Sequence, residues 1–258
     1  MTDAKAFASS PHLVLIPSYN PGYRVYETVR TARQHWNPVW VVIDGSTDDS
    51  AEYLHAMAAE DDGLRILHLP VNQGKGAAVL CGIQSAERLG YTHVLTMDSD
   101  GQHPPELIPQ FMANSSELPQ CMILGVPVFD ASAPSIRIKG RKISNWWANV
   151  ETLWAGIGDS LFGFRVYPIA PLREVMRGQA WMRRFDFDPE AVVRLCWRGV
   201  RPINRPAPVR YFDADQDGVS HFNYLRDNIL LTWMHIRLCL GFLLRLPVLM
   251  VRRMQGKF

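Results

Sequence analysis

Two aspartates, Asp98 and Asp100, lie one residue apart in the stretch LTMDSDGQHPPE, directly after an apolar run that is typical of a buried strand. Two close carboxylates repel each other, and a bound divalent cation relieves that repulsion. Mg²⁺ prefers oxygen ligands and usually keeps phosphates and waters in its shell, and Gln102 adds a neutral oxygen nearby. The spacing fits a metal site, and it also fits an ordinary surface turn, because Asp-Ser-Asp-Gly is good turn chemistry.

Asp44 ends a second apolar run, in VVIDGSTDDS. A carboxylate at the end of a buried strand needs polar partners, and a ribose or the edge of a nucleobase supplies them. The alternative is a helix start, with Ser46 or Thr47 as the N-cap and Asp48 and Asp49 in the first turn. Both interpretations can hold together if Asp44 faces a ligand while the later residues cap a helix.

Two further polar loops also follow apolar runs. In NQGKGAAV, glycines bracket Lys75 at a predicted helix start, which offers N–H groups and a cation to a phosphate. The pattern GxxxxGK[ST] of a P-loop is absent, and simple loop geometry is the alternative. In IPSYNPG, Pro17, Tyr19 and Asn20 form a rigid edge on which a base can stack.

The strands and helices that position these loops are predicted from short apolar runs that alternate with longer segments of helical period. Segments 23–36, 48–61 and 74–90 have apolar residues three or four apart, which is typical of helices. This β-α-β-α order predicts a mostly parallel sheet with helices on both faces, and ligands bind beyond the carboxyl ends of such strands. All four polar loops follow strands, so we expect them to meet at one edge of the sheet. The predicted strands are 12–17, 39–44, 64–69, 92–98, 121–126 and 162–167.

The bulk composition narrows the class of protein. The chain has 258 residues, of which 47% are hydrophobic, enough for one large α/β domain or one domain with an appendage. A net charge of +2 gives no global basic field, which argues against nucleic acid as a partner. Four scattered cysteines without CxxC spacing indicate reduced thiols, and the first twenty residues do not resemble a secretory signal.

Together, IPSYN, VVIDGSTDD, NQGKGAA and MDSDGQHPPE resemble the family 2 glycosyltransferases of GT-A fold. The likeness is closest to the branch of dolichol-phosphate mannose synthases and polyprenyl-phosphate glycosyltransferases, and it covers residues 12–220. It implies an α/β, Rossmann-like, mostly parallel sheet flanked by helices in a domain of residues 1–220. An amphipathic helical segment that associates with a membrane would then occupy residues 221–258. Downstream, residues 158–168 resemble the family's stretch near the acceptor, and residues 184–222 resemble its helix, strand and loop that close the site.

The resemblance also implies roles for individual residues. Asp98, Asp100 and Gln102 would hold Mg²⁺ or Mn²⁺ at the diphosphate of a UDP- or GDP-sugar. Pro21 and Ile43 depart from the family pattern, which usually has a glutamate and an aspartate at these two positions. Because both positions belong to the expected nucleotide pocket, the identity of the donor's nucleobase stays open. The residues expected to bind the donor or its diphosphate are Pro17, Tyr19, Asn20, Asp44, Lys75, Asp98, Ser99, Arg141 and Arg165.

An inverting displacement also needs an acceptor oxygen on the opposite face of the sugar. A hydroxyl acceptor requires a general base, whereas a phosphate acceptor is already ionised. The candidate bases are Asp159 in GIGDSLFGF and Asp188 in RFDFDPE, which also contains Asp186 and Glu190. The alternative for Asp188 is a helix N-cap followed by Pro189 at the first helical position.

Cations and tryptophans crowd the stretch between these carboxylates and the paired aspartates. Arg137, Lys139, Arg141 and Lys142 put four cations within six residues, and Arg165 follows. They suit an anionic acceptor head group or the departing diphosphate, and a solvated loop is the alternative. The helical period places Trp146, Trp147 and Trp154 in the core or at an interface.

The most apolar segment, residues 229–251, is long enough to span a bilayer but contains His235, Arg237 and Arg245. At about 100° per residue, four arginines in and beside this segment fall within an arc of roughly 100°: Arg226, Arg237, Arg245 and Arg252. This pattern predicts helices in the membrane interface with the arginines towards anionic head groups, and Pro247 is expected to kink or split the helix. A packed core helix and a single span are the alternatives.

The resemblance therefore implies an inverting, metal-dependent glycosyltransferase, peripheral at the cytoplasmic face of a membrane, whose acceptor is a polyprenyl phosphate. Three alternatives stay open. One is transfer to a hydroxyl of a lipid or glycan, the second is a nucleotidyltransferase, and the third is a non-catalytic nucleotide-binding membrane protein.

Overall fold

The computed structural model describes residues 10–129, 135–210 and 224–256. In these residues seven strands form a single sheet: β1 His12–Ser18, β2 Val39–Asp44, β3 Leu64–Leu69, β4 His93–Thr96, β5 Cys121–Val128, β6 Arg165–Pro168 and β7 Arg201–Pro208. The helices are α1 Arg24–His35, α2 Ser50–Glu60, α3 Lys75–Arg88, α4 Ile108–Glu117, α5 Ser135–Val150, α6 Ile169–Arg177, α7 Phe187–Trp197 and α8 Tyr224–Met254, with a 3₁₀ turn at Pro105–Leu107.

The strand order across the sheet is β3-β2-β1-β4-β6-β5-β7. Strand β6 runs antiparallel to both of its neighbours, β4 and β5, and every other pair is parallel. This mixed, mostly parallel sheet with flanking helices confirms the predicted fold class. Because β1, β2 and β4 all end at the same edge, the polar loops that follow them are brought together there.

Both faces of the sheet are buried. Along β1, Leu13 and Leu15 belong to the core beneath α3, α6 and α7, whereas Val14 and Ile16 belong to the core beneath α1 and α4. Since side chains alternate between the two faces of a strand, a strand covered on both faces is apolar throughout. This explains why the central strands appear in the sequence as continuous hydrophobic runs.

Two helices begin at other residues than the N-cap patterns in the sequence indicated. Helix α2 begins at Ser50, because Ser46 and Thr47 instead contact the loop after β1. Helix α7 begins at Phe187, so Asp188 lies within its first turn rather than at the N-cap.

Helix α8 covers 31 residues and continues through the exposed Pro247 without being split. By length and composition, residues 227–254 could cross a membrane, and only 17% of their most apolar 18 residues are buried in the domain. Met234, Leu238 and Leu249 pack against the domain. The opposite side carries exposed Ile229, Trp233, Ile236, Leu240, Leu243, Leu244, Val248, Met250, Val251 and Met254.

Arg237, Arg245 and Arg252 of α8 contact the domain, which corrects the prediction that they point to lipid head groups. Arg237 donates to Glu190 of α7, and Arg252 donates to the carbonyl of Trp197. The Arg245 guanidinium lies 4.8 Å from the centroid of the Trp197 ring. The side chain of Arg226 lies outside the described residues. Buried acids and carbonyls of the domain attract the cations, which leaves the apolar face outward.

The tryptophans of the α5 region are also exposed rather than in the core. Trp146 is 53% exposed, Trp147 36% and Trp154 55%. The Trp147 ring lies beside His235 of α8, and Arg253 donates to the carbonyls of Leu153 and Trp154. These aromatic side chains therefore extend the exposed apolar surface next to α8.

Candidate active site

Asp98 follows the end of β4 and is held by His103. The Asp98 N–H donates to His103 Nδ1 at 3.0 Å, which leaves the proton of the neutral ring on Nε2. That nitrogen lies 3.5 Å from Asp98 Oδ2. Burial lowers the pKa of His103 to about 4, so the ring is neutral at physiological pH and orients the carboxylate without neutralising it.

Lys75, the first residue of α3, forms an ion pair with two aspartates. Its Nζ lies 2.6 Å from Asp98 Oδ1 and 2.6 Å from Asp188 Oδ2. Burial alone lowers the pKa of Lys75, but Asp188 and Asp98 outweigh it and raise the pKa above its ordinary value. The lysine thus joins the β4 loop, α3 and α7 at the carboxyl edge of the sheet.

Gly163 completes the packing around this lysine. A Cβ at Gly163 would lie 2.6 Å from Lys75 Nζ and 2.9 Å from Asp98 Oδ2, closer than atoms approach in proteins. A side chain at this position would displace the lysine ammonium or the Asp98 carboxylate, whereas glycine leaves the ion pair in place. The stretch that the sequence placed near the acceptor therefore contacts the predicted donor site.

Asp100 lies in the same loop, and its environment suits a cation. Burial, followed by the negative charge of Asp98, raises the pKa of Asp100 to about 6. The Gln102 N–H donates to Asp100 Oδ1 at 3.0 Å, which orients the carboxylate. Asp188 Oδ1 is buried without a hydrogen-bond partner among the described residues.

Carboxylate oxygens such as those of Asp100 and Asp188 are ligands that a hard divalent ion prefers. In the described part of the chain, however, no group of three or more His, Cys, Asp or Glu side chains has metal-site spacing. Any ion here would therefore depend on phosphate and water oxygens for much of its shell, as Mg²⁺ commonly does.

Asp44 holds the loop that leads into α3. The side chain is 2% exposed, and its two oxygens accept the N–H groups of Gln73 at 2.8 Å and Gly74 at 2.7 Å. Gly74 has φ +100°, in the region that favours glycine, and its Cβ would clash with the Arg183 carbonyl. The carboxylate predicted to hold a base or ribose thus also fixes the backbone next to Lys75.

Asn20 joins the loops after β1 and β2. It adopts φ 42°, its Oδ1 accepts the Thr47 N–H at 2.7 Å, and its own N–H donates to Ser46 Oγ at 3.0 Å. Pro17 is buried within β1, and Tyr19 follows the strand half-buried. These residues lie at or just beyond the carboxyl end of β1, and their contact with a nucleotide stays a prediction.

Ser99 lies between the paired aspartates. It is half-buried, and its carbonyl accepts the Thr28 hydroxyl at 3.3 Å. The backbone of the aspartate loop is thereby tied to α1.

Asp159 is saturated with hydrogen bonds. Its Oδ1 lies 2.6 Å from Arg141 and accepts the N–H groups of Leu161 and Phe162, while Oδ2 accepts from Asn145 at 3.1 Å. The carboxylate therefore orders its own loop and orients Arg141. The Arg137 side chain of the same basic cluster lies outside the described residues.

Arg165 was predicted to contact an anion, but the structure places it in the interior. The side chain is fully buried in β6, between β4 and β5. Its guanidinium donates to the carbonyls of Asp188 at 2.7 Å and Asp159 at 3.2 Å, and to the Tyr167 hydroxyl at 2.9 Å. It holds the two carboxylate-bearing segments together and presents no surface to a ligand.

The sequence did not reveal the contacts of Lys75, His103 and Gly163. Lys75 and Asp188 are 113 positions apart, so no local pattern connects them. A signal for His103 existed, because it follows the paired aspartates directly within the same polar loop.

The fold is shared with a sugar transferase of known structure. Glucosyl-3-phosphoglycerate synthase from Mycobacterium tuberculosis, solved with Mn²⁺, UDP-glucose and phosphoglyceric acid, superimposes with a TM-score of 0.61. The two share 14% identity over 91% of this chain and 80% of the other, so the likeness establishes the fold alone. The mixed sheet flanked by helices has the GT-A fold.

The sequence profile of Glycosyl transferase family 2 matches residues 13–169, and the chain belongs to that family. It is 26% identical to the undecaprenyl-phosphate mannosyltransferase of Micrococcus luteus, over 75% of this chain and 81% of the relative. It is 27% identical to the polyprenol monophosphomannose synthase of Mycolicibacterium smegmatis, over 73% and 71%. The protein is a glycosyltransferase whose likeness is to the polyprenyl-phosphate branch.

Proposed function

We propose that the protein is an inverting glycosyltransferase that moves one sugar from a nucleoside-diphosphate donor to a polyprenyl phosphate at the cytoplasmic face of a membrane. The observation that carries the proposal is the cluster of Lys75, Asp98, Asp100 and Asp188 at the carboxyl edge of the sheet. The names of two relatives, one acting on undecaprenyl phosphate and one making polyprenol monophosphomannose, support a lipid-phosphate acceptor.

On the donor side, the chain supplies a preorganised, charged loop. Asp98, Asp100 and Gln102 would hold Mg²⁺ or Mn²⁺, which supplies positive charge to a departing diphosphate when it is bound. His103 fixes the orientation of Asp98, and Asp44 fixes the backbone that precedes Lys75. Charged groups held rigidly before the reaction stabilise developing charge better than groups that must reorient.

On the acceptor side, the chain offers cations. Arg141 is oriented by Asp159 and keeps part of its side chain accessible, and Lys139 and Lys142 are exposed on the same helix. These groups suit a phosphate head group. A phosphate is ionised and needs no general base. Asp159 then acts by positioning Arg141, and Asp188 by positioning Lys75.

The outward face of α8 supports attachment to a membrane. Its apolar side chains point away from the domain, and the exposed tryptophans of the α5 region lie beside it. Such a helix lies in the interface with its apolar side in the lipid. Residues 1–220 would thus form the transferase domain and residues 221–258 the membrane segment, with a boundary that lies outside the described residues.

The test is a product assay on the purified full chain in lipid vesicles. Radiolabelled UDP- and GDP-sugars are combined with polyprenyl phosphate or, as the matched acceptor, with the corresponding polyprenol, in the presence of Mg²⁺ or Mn²⁺. The proposal predicts a sugar-linked polyprenyl phosphate and release of a nucleoside diphosphate. Transfer to polyprenol alone, or release of pyrophosphate, would contradict it.

Asp100→Asn is expected to lower transfer at least about a hundredfold, because removal of an electrostatic group at a reacting centre typically costs that much. The matched control is Asp62→Asn, which changes an exposed carboxylate at the end of α2 and should leave transfer unchanged. Undiminished transfer by Asp100→Asn would reject the role given to the paired aspartates.

A further inference from the structure

Helix α7 lies between the candidate active site and α8, and its first turn carries carboxylates on opposite sides. Asp186 and Glu190 are four residues apart and share one side, whereas Asp188 faces the other, where it contacts Lys75. Glu190 is fully buried and accepts from Arg237 of α8 through both oxygens, at 3.2 and 3.1 Å. Asp186 lies 3.8 Å from the same guanidinium. One helical turn therefore contacts both the site and α8.

Arg237 is also linked, through Trp181 and the residues that follow it, to the first turn of α3, where Lys75 lies. Its guanidinium carbon lies 5.8 Å from the centroid of the Trp181 ring. Two residues further on, the Arg183 carbonyl accepts the N–H of Ala77 at 3.2 Å, in the first turn of the helix that Lys75 begins. Both connections are short chains of direct contacts between packed elements, which is how coupling between sites is carried.

We propose that Arg237 is a positioning residue that links the membrane-facing helix α8 to the active site. By binding Glu190 and packing over Trp181, it holds α7 and residues 181–184 against α3, and so sets the ion pair of Asp188 with Lys75. The importance of that pair for sugar transfer rests on the proposed function, whereas the link itself does not. The packing of α8 against the domain and the formation of the Asp188–Lys75 ion pair are thus coupled.

The chemistry of arginine suits this role. A planar guanidinium binds both oxygens of a carboxylate in a fixed geometry, which defines the direction of α7 relative to α8, and a lysine ammonium does not. Glu190 also binds Arg194 at 2.7 Å. Removal of Arg237 therefore leaves the buried carboxylate with one cation, so we expect Arg237→Gln to fold.

The experiment compares the wild type with Arg237→Gln, Arg237→Lys and the matched control Arg245→Gln. Arg245 is also an arginine of α8, but it contacts the Gly241 carbonyl and the Trp197 ring rather than α7 carboxylates. An amine-labelling reagent and mass spectrometry report the reactivity of Lys75 without any substrate. Transfer kinetics and vesicle flotation are measured on the same proteins.

In Arg237→Gln we expect Lys75 to label about fivefold faster, because the opened pair exposes the amine. The kcat for transfer should fall about tenfold, with the donor KM and vesicle binding nearly unchanged, because positioning rather than binding is lost. Arg237→Lys should lie between Arg237→Gln and the wild type in both measurements. Arg245→Gln should match the wild type.

Unchanged Lys75 labelling in Arg237→Gln overturns the link, whether or not transfer declines. Faster labelling in a protein whose wild type transfers no sugar would uphold the link and reject the proposed function instead. If Arg237→Gln does not fold, the link is tested with Arg237→Lys, because this variant keeps the positive charge and changes only the geometry of the contact with Glu190. Wild-type labelling and wild-type kcat in that variant would then contradict the proposal.

Discussion

A side chain at position 163 would displace the ends of the Lys75 and Asp98 side chains. We predict that Gly163→Ala forces the lysine ammonium away from Asp98, because the new methyl group would lie 2.6 Å from its present position. The expected result is a loss of about tenfold in kcat, since a displaced catalytic group costs that much or more. Stability should fall by about 1–2 kcal/mol from overpacking. Steady-state kinetics and thermal unfolding measure the two effects.

Gly140→Ala provides the control. A Cβ at Gly140 meets no atom within 4 Å, and the residue lies inside helix α5. Alanine should therefore leave transfer unchanged and stabilise the helix by up to about 1 kcal/mol. Wild-type kinetics for Gly163→Ala would show that the close approach at the ion pair has no functional importance.

Which individual residues could be identified from the sequence depended on how local their contacts are. Asp44 and Asp98 stood out because each comes at the end of a continuous apolar run. The position of Arg165 could not be identified in this way. Its place after a basic cluster suggests an anion ligand, but its strand lies inside the sheet. Its orientation depends on β4 and β5 as neighbours, and this pairing is a long-range property that no local pattern contains.

Helix α8 presents its apolar side outward, and this defines a prediction about membrane binding. Leu240 is 59% exposed and Leu244 is 83% exposed on that side. Replacing both leucines with aspartate should weaken binding to vesicles at least about a hundredfold, because each buried leucine contributes roughly 1.5–3 kcal/mol. Flotation of the purified protein with vesicles of mixed neutral and anionic lipids measures the change.

The control for this helix is Leu89→Asp, at the end of α3. Leu89 is 57% exposed, close to the value for Leu240, but it lies on another surface. It should leave vesicle binding unchanged. If the double variant on α8 floats as well as the wild type, the outward face is not the membrane-binding surface.

The existence of this helix followed from its sequence, but its orientation did not. A period of 3.6 residues places the arginines within one arc of the helix. Which arc faces the domain depends on Glu190, Asp186 and the carbonyl of Trp197, all on or next to α7. A buried acidic partner outweighs the attraction of an arginine to lipid head groups, and the sequence of α8 alone contains no such information.

At the scale of the whole molecule, a buried histidine pair makes stability depend on pH. His12 and His93 stack with centroids 4.5 Å apart beneath the sheet edge opposite the site. Burial, and then the charge of His93, lowers the pKa of His12 to about 4, and burial lowers the pKa of His93 as well. Between about pH 6.5 and 4 these two histidines therefore bind more protons in the unfolded chain than in the folded one.

The contribution of this pair to the free energy of unfolding should thus be complete above pH 6.5 and decline as the pH falls towards 4. His12 contributes up to about 3 kcal/mol to this decline. His12→Phe keeps a stacked ring but cannot be protonated, so the slope in this window should flatten. His35→Phe, on α1, should retain the wild-type slope. Denaturant unfolding at several pH values measures the difference, and an unchanged slope for His12→Phe would contradict the assignment.

The sheet as a whole was the most predictable feature, because alternating periods define strands and crossover helices without long-range knowledge. The exception is its far side. The antiparallel direction of β6 and the pairing of β7 with β5 arise only when the chain returns after α5 and α7. The ion pair of Lys75 with Asp188 is formed by the same return, which is why the fold was predictable but the centre of the site was not.

The central claim is that Asp98 and Asp100 bind a divalent ion next to the diphosphate of a sugar donor. A crystal structure with Mn²⁺ and a nucleoside diphosphate, recorded at a wavelength where manganese scatters anomalously, tests it directly. The account predicts an anomalous peak within bonding distance of a carboxylate oxygen of Asp98 or Asp100 and in contact with the diphosphate. A bound nucleotide with no manganese at either carboxylate would contradict it.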